Sequence, residues 1–292
     1  MILAALVAAA TIAVDTPLVD AAWLAAHASA RNVVIFHVGP RPDYDSAHIA
    51  GAQFLSTRDI SAPEGPLALE LPDPARLDSA LEARGVSDDS RIILYNSSQW
   101  ITPTTRVYFT LTWAGLGDRV SILDGGIEAW RAAGRPVTRE NTPAPAPATG
   151  RLTIRPRSNL VVDAPFVRGQ LERSAWTVLD ARDRVYWTGE RPGMGSRMGH
   201  IPGALSVPWA TVADSSGRFL SPEQLRRLFT AAGASAGKPV VSYCHIGQQA
   251  SAIWFAARLA GYEARLYDGS FQDWSGHADY PTVTATPAER RP

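Results

Sequence analysis

The only cysteine of the chain, Cys244, lies in the segment "VVSYCHIGQQASAIWF" at 240–255. It follows a run typical of a buried strand and precedes a small polar stretch that leads into a helical composition. A short loop between a strand and a helix turns its backbone N–H groups inward, and Gly247 permits the bend that such a loop needs. The first N–H groups of the helix also stabilise an anion. We therefore predict a nucleophilic thiolate with a lowered pKa. The residues expected to form the anion-binding loop around it are His245, Ile246, Gly247, Gln248 and Gln249.

Other chemistries that use a cysteine are less well supported. A lone cysteine at a strand end can be an inert core residue or an intermolecular linker. It cannot form an intramolecular disulfide or a cysteine-based zinc cluster, and no metal or cofactor is expected. Tyrosine phosphatases place an arginine six positions after their cysteine, where this chain has Ala250, which argues against a phosphatase or an arsenate reductase. A papain-like hydrolase needs a distant histidine, for which His200 and His277 are candidates without a local signature.

The elements that would position the cysteine occur twice. "HIAGA" at 48–52 matches "HIPGA" at 200–204, and "DGGIEAW" at 124–130 matches "DGSFQDW" at 268–274. "RIILYN" ends on Asn96 where "KPVVSYC" ends on Cys244. Several motifs in the same order at nearly constant spacing indicate two related copies, of which one lacks the thiol. We interpret the first copy as a non-catalytic partner that covers part of the cleft.

Each copy alternates short apolar strands with helices, which predicts an α/β fold with a small parallel sheet and helices on both faces. The strands that end in reactive loops should do so at the carboxyl edge of the sheet. The alternating Pro and Ala residues between the copies favour an extended linker. The predicted units are a first domain at 14–136, a linker at 137–158, a second domain at 159–285 and a tail at 286–292.

Composition limits the class of partner. Lys+Arg and Asp+Glu are equal at 28 each, so no global basic field would draw the chain to nucleic acid. A small molecule is expected instead, with the protein acting as a monomer.

The apolar run within residues 1–13 is too short to span a membrane. It fits a signal peptide, which would give a periplasmic protein, although no Lys or Arg precedes it. It also fits an extra N-terminal helix or a misplaced start, which would leave the protein cytoplasmic.

The tandem arrangement, the repeated "HIAGA/HIPGA" and "DGGIEAW/DGSFQDW" motifs and the loop "CHIGQQ" resemble the two-domain rhodaneses, the thiosulfate and 3-mercaptopyruvate sulfurtransferases. The resemblance covers nearly the whole chain. It implies a ping-pong reaction in which the Cys244 thiolate takes a sulfane sulfur, becomes a persulfide and passes the outer sulfur to cyanide or a thiol. Family members that use 3-mercaptopyruvate carry a serine where this chain has Ile246, so thiosulfate is the expected donor and 3-mercaptopyruvate the alternative. A binding module without activity is a further alternative.

The resemblance also implies donor-binding side chains after the strand "TVLDA". Arg182 and Arg184 are the expected contacts for the donor anion, although Arg182 could instead form a supporting ion pair with Asp180. Arg197 is a weaker candidate in a glycine-rich loop.

His245 could tune the thiol as a neighbouring cation or face outward. His48 and His200 occur in both copies, including the copy without a thiol, which predicts a structural role. The presence of His37 where the second copy has Asp180 has no explanation in the sequence.

Overall fold

Two five-stranded parallel sheets, one from each half of the chain, organise the computed structural model. The structure describes residues 16–140, 151–194 and 197–287. The strands of the first sheet are β1 (Leu18–Val19), β2 (Val33–His37), β3 (Gln53–Phe54), β4 (Arg91–Tyr95) and β5 (Val120–Leu123), in the order β1-β5-β4-β2-β3. The strands of the second sheet are β6 (Val161–Val162), β7 (Thr177–Asp180), β8 (Leu205–Ser206), β9 (Val240–Tyr243) and β10 (Ala264–Tyr267), in the order β6-β10-β9-β7-β8. The identical order in both halves confirms the predicted tandem α/β fold.

The helices follow the same repeat. Those of the first half are α1 (Ala21–His27), α2 (Arg41–Ser46), α3 (Pro74–Glu82), α4 (Thr102–Leu111) and α5 (Gly126–Ala132). Those of the second half are α6 (Ala164–Arg173), α7 (Arg184–Trp187), α8 (Pro222–Ala231), α9 (Gln248–Leu259) and α10 (Ser270–Gly276). The alternation of short apolar strands with helices that was predicted for each copy is present in both halves. The two-residue edge strands have no periodicity to read and were not predicted.

The first helices of the two halves, α1 and α6, begin in the same way because each is capped by an aspartate. Asp20 accepts a hydrogen bond from the backbone N–H of Trp23 at the start of α1, and Asp163 does so from Phe166 at the start of α6. Such caps satisfy N–H groups that have no partner within the helix. Local sequence therefore sets the start of this helix in the same way in both halves.

The two domains share one hydrophobic core that is centred on α4 and α9. Phe109 packs edge-on against Trp254 with ring centroids 4.8 Å apart, and Tyr108 packs against Phe255 at the same distance. Rings in this arrangement add attraction beyond the area that they bury. Because α9 begins immediately after the loop that holds Cys244, the interface between the domains also fixes the position of that loop.

The linker and the termini are described only in part. Residues 1–15, 141–150 and 288–292, on which the predicted signal peptide, the middle of the linker and most of the tail fall, lie outside the described residues. Residues 151–158 pass over the first domain, where the backbone N–H of Arg155 donates to the carbonyl of Ala114 and Leu152 is buried. Among the described residues, no helix has the length and apolar character needed to span a bilayer.

Candidate active site

The loop after β9 holds the sulfur of Cys244 at its centre. Gly247 has φ +83°, the left-handed conformation expected from the sequence, and α9 begins at the next residue. The backbone N–H groups of Ala250, Ile246, Gln249 and Gly247 are near enough to the Cys244 thiol to stabilise its anionic form. Three of the five residues predicted to form the anion-binding loop are among these four. The donor set differs by the addition of Ala250 and the absence of His245 and Gln248.

The thiol does not have the lowered pKa that the loop predicted. Cys244 is completely buried, and burial raises the pKa of its thiol above the ordinary value, with the loop amides only partly opposing this. Removal of an ionisable group from water disfavours its charged form. The prediction was wrong because the sequence showed the amides but not the depth of the sulfur. The amides are thus preorganised for an anion that the resting thiol does not yet carry.

The backbone around Cys244 is held by the turn between β10 and α10. The backbone N–H of Cys244 donates to Oγ of Ser270 over 3.1 Å, and the N–H of Phe271 donates to the Cys244 carbonyl over 3.0 Å. The N–H of Gln272 donates to the carbonyl of His245, also over 3.0 Å. The short motif "DGSFQDW" therefore positions the nucleophile as well as turning the chain.

His245 is neutral and is packed against α7. Burial, followed by the nearby charge of Arg182, lowers the pKa of His245 to about 4, while Asp180 opposes the shift. Its ring meets Tyr186 edge-on with centroids 4.6 Å apart. The sequence left open a cationic or an outward-facing His245, and neither description fits this half-buried neutral ring.

A buried ion pair between the domains lies directly behind Gly247, and the sequence did not predict it. The guanidinium of Arg106 in α4 pairs with the carboxylate of Asp268 and also donates to the carbonyl of Leu69. Oδ2 of Asp268 accepts the backbone N–H of Leu71 over 3.0 Å. Arg106 is the one charge in the otherwise uncharged segment of α4, all of it buried, and this was the available signal. The pair joins the first domain to the turn between β10 and α10 and packs against the catalytic loop at Gly247.

The three predicted donor-binding arginines have different surroundings. The side chain of Arg182 has no exposed surface and pairs with Asp180, with Nε 2.9 Å from Oδ1. The ion pair that the sequence left open is thus present, while Nη1 of the same guanidinium has no hydrogen-bond partner among the described residues. A contact between Arg182 and the donor stays a prediction. Arg197 is half-buried and donates to the carbonyls of His277 and Tyr280, which ties its loop to the C-terminal segment. Arg184, at the start of α7, is exposed.

The first domain reproduces the supporting contacts of the second without the thiol. The N–H of Ile127 donates to the carbonyl of Asn96 over 2.9 Å, as Phe271 does to Cys244. His48 stacks on Tyr44 with centroids 4.0 Å apart, and the ring of His200 stacks on that of Trp187 at 4.1 Å. A structural role for both histidines matches the prediction, since each stabilises the same bend in its own half.

His37 of the first domain occupies the place of Asp180 but makes no equivalent ion pair. Its ring is fully buried among aromatic rings, with Tyr95 5.1 Å away edge-on, and neither of its ring nitrogens has a hydrogen-bond partner among the described residues. Burial lowers the pKa of His37 to about 4, against the opposing charge of Asp43. The first domain therefore carries a neutral residue where the second carries a buried charge pair.

A cavity of about 650 Å³ separates the first domain from the mouth of the catalytic loop. Its lining from the second domain is Ile246 and Gln248, and the rest comes from the segment 57–69 and Arg76 of the first domain. The first domain thus covers part of the cleft, as the sequence suggested.

A comparison of this sequence with known domain families identifies the family of the chain. The model of the rhodanese-like domain matches residues 20–133 and again residues 164–277. The chain belongs to the rhodanese family. Each matched stretch contains most of the strands and helices of one domain, and the second stretch contains Cys244.

Relatives within the family are named for two sulfur donors. The chain is 38% identical over 250 residues to a probable 3-mercaptopyruvate sulfurtransferase of Pseudomonas aeruginosa, covering 82% of this chain and 86% of that one. It is 31% identical over 280 residues to a putative thiosulfate sulfurtransferase of Mycobacterium leprae, covering 90% and 96%. These relatives support sulfurtransferase activity for this rhodanese and do not resolve its donor.

The fold is also found in a solved structure of distant sequence. The anaerobic ergothioneine biosynthesis enzyme from Chlorobium limicola, in complex with trimethyl histidine, superposes with a TM-score of 0.82 over 93% of this chain and 71% of that one, at 23% identity. At this identity the likeness concerns the fold alone.

Proposed function

We propose that this rhodanese transfers the sulfane sulfur of thiosulfate to a thiophilic acceptor through a persulfide on Cys244. The observation that carries the proposal is the convergence of four backbone N–H groups on the cysteine sulfur. Fixed donors of this kind stabilise charge that develops during a reaction, and they do so strongly where water is excluded. An inert core cysteine would have no need of them.

The first step is attack of the Cys244 sulfur on the outer sulfur of thiosulfate. The thiol gives up its proton, a new S–S bond forms at Cys244, and the S–S bond of thiosulfate breaks, so that sulfite leaves with the electron pair. In the second step the acceptor attacks the outer sulfur of the persulfide. With cyanide, thiocyanate leaves and the cysteine sulfur takes back the electron pair. The loop amides would hold the negative sulfur in both steps.

Thiosulfate is favoured over 3-mercaptopyruvate by the proton requirements of the two donors. Sulfite leaves without taking a proton, whereas loss of sulfur from 3-mercaptopyruvate leaves a carbanion that must be protonated to give pyruvate. Ile246 carries no exchangeable side-chain proton, and His245 is neutral. The name of the Pseudomonas aeruginosa relative favours 3-mercaptopyruvate as the second candidate.

Arg184 is the arginine that we assign to the donor anion. It is exposed, and it lies on α7, which reaches the catalytic loop through the contact of Tyr186 with His245. A guanidinium at this place would orient a dianion by charge-assisted hydrogen bonds. Arg184→Ala should therefore raise the KM for thiosulfate, while Arg173→Ala, which removes an exposed arginine at the end of α6, provides a matched control.

The donor is identified by mass spectrometry of the intact protein. Samples are incubated separately with thiosulfate and with 3-mercaptopyruvate, and each is then treated with cyanide. We expect thiosulfate to add the mass of one sulfur atom and cyanide to remove it. Faster loading from 3-mercaptopyruvate would replace the proposed donor, and no loading from either donor would refute the persulfide route. Turnover of an aryl phosphate or of arsenate would point to a different cysteine enzyme.

A further inference from the structure

The cavity at the mouth of the catalytic loop carries unpaired positive charge. Arg58, in the turn Thr57–Ile60, and Arg76, in α3, both line it from the first domain. Both are exposed, and within the described part of the chain neither forms an ion pair with a carboxylate. The neighbouring Arg84, by contrast, pairs with Asp59 at 3.2 Å.

The remaining lining gives the cavity a net positive charge. Glu64 is the acid among its described lining residues, against two arginines. Nε of Arg76 donates to the carbonyl of Ser61 over 3.3 Å, which fixes the base of its guanidinium at the wall. Guanidinium groups bind carboxylates through paired, charge-assisted hydrogen bonds. The charge pattern therefore fits an anionic ligand that carries more than one polar group.

The cavity is large enough for a sulfur acceptor much bigger than the donor thiosulfate. Its volume of about 650 Å³ lies within the range of sites that enclose a drug-sized ligand, which is also the size of a di- or tripeptide. Thiosulfate would fill only a small part of it. In a ping-pong reaction both substrates reach the same sulfur in turn, so a cavity beside the catalytic loop that thiosulfate does not need is available to the acceptor.

We propose that Arg58 and Arg76 select a carboxylate-bearing thiol of peptide size as the sulfur acceptor, an inference that rests on the persulfide proposed for Cys244. The acceptor thiolate attacks the outer sulfur of the persulfide, a new S–S bond forms on the acceptor, and the S–S bond to Cys244 breaks. The product is a small-molecule persulfide, and the cysteine sulfur leaves with the electron pair and is reprotonated. No external oxidant or reductant is needed.

The test separates the two half-reactions. The protein is loaded with thiosulfate and freed of donor, and transfer is then followed with glutathione, a tripeptide thiol with two carboxylates, or with uncharged 2-mercaptoethanol. The combined variant Arg58→Ala with Arg76→Ala should raise the half-saturating concentration of glutathione by about tenfold, the change expected on loss of one or two exposed charge contacts. The value for 2-mercaptoethanol and the rate of loading should change far less. Arg227→Ala, which removes an exposed charge from α8, should leave the half-saturating concentrations of both acceptors unchanged.

Two results would overturn the inference while leaving the proposed function intact. One is an equal loss for both thiols in the combined variant, which would indicate a structural role for the arginines. The other is a defect confined to loading, which would assign the arginines to the donor. A wild-type protein that never loads sulfur would instead refute the proposed function and this inference together. Higher salt should weaken the preference of the wild type for glutathione, because screening acts on exposed charges.

Discussion

The catalytic loop depends on a glycine that has no room for a side chain. Gly247 has φ +83°, and a Cβ at this position would lie 2.9 Å from the Asp268 carbonyl oxygen and 2.9 Å from Nη1 of Arg106. The left-handed conformation alone costs a residue with a Cβ roughly 1–2 kcal/mol. Displacement of a buried ion pair adds to this, since breaking such a pair outright costs about 3–5 kcal/mol. We therefore expect Gly247→Ala to lower the free energy of unfolding by about 2–4 kcal/mol.

Gly261 provides a matched control for the conformational cost. It has φ +89°, and a Cβ there would meet no atom within 4 Å, so Gly261→Ala should cost only about 1–2 kcal/mol. Both variants are unfolded with denaturant, and persulfide formation is followed under conditions where each is folded. Gly247→Ala should load sulfur at least about tenfold more slowly because the amides shift from the sulfur, whereas Gly261→Ala should load normally. Equal unfolding energies and equal loading rates for the two variants would refute the account of the loop.

Three further predictions follow from the buried groups. Because burial raises the pKa of Cys244, the rate of loading should rise with pH from 7 to beyond the ordinary pKa of a thiol, and a flat profile would contradict a protonated resting state. Burial, together with the charges of Asp268 and Asp273 and against that of Arg106, raises the pKa of Glu70 from 4.5 to about 7. The stabilising contribution of Glu70 is therefore complete below pH 4.5 and is lost as the pH rises through 7. Over this window Glu70→Gln should gain stability relative to wild type, by the order of 1–3 kcal/mol in denaturant unfolding. A difference in unfolding free energy that stays constant with pH would show that Glu70 does not titrate there. Asn96→Ala should leave the steady-state rate with thiosulfate and cyanide nearly unchanged, and a large loss would give the first domain a catalytic role.

The fold and the position of the site could be predicted from the sequence because both are encoded locally and twice. The repeated motifs, the apolar runs of β4 and β9 and the glycine before α9 each have a direct structural meaning. The convergence of amides on Cys244 follows from a strand, a bend and a helix start that are consecutive in the chain. Such features need no knowledge of distant contacts.

The errors concern quantities that depend on tertiary packing. The pKa of Cys244 follows from its depth, which the residues around it in the chain do not reveal. The pairing of Arg106 with Asp268 joins residues 162 positions apart and in different domains. For Arg182 the sequence left an ion pair and a donor contact open, and only the folded structure shows the pairing of its Nε with Asp180. Arg58 was not recognised because its significance lies in a cavity that the second domain completes.

The most direct test of the central claim is to locate the transferred sulfur at the level of the peptide. The protein is treated with thiosulfate, digested under non-reducing conditions and analysed by mass spectrometry, alongside the Cys244→Ser variant. The account predicts that one peptide, the one containing Cys244, gains the mass of a single sulfur atom and loses it to cyanide. It also predicts that the variant neither loads nor transfers sulfur while unfolding at nearly the wild-type temperature. Full turnover by the folded variant, or an unmodified Cys244 peptide in a protein that is turning over, would contradict it.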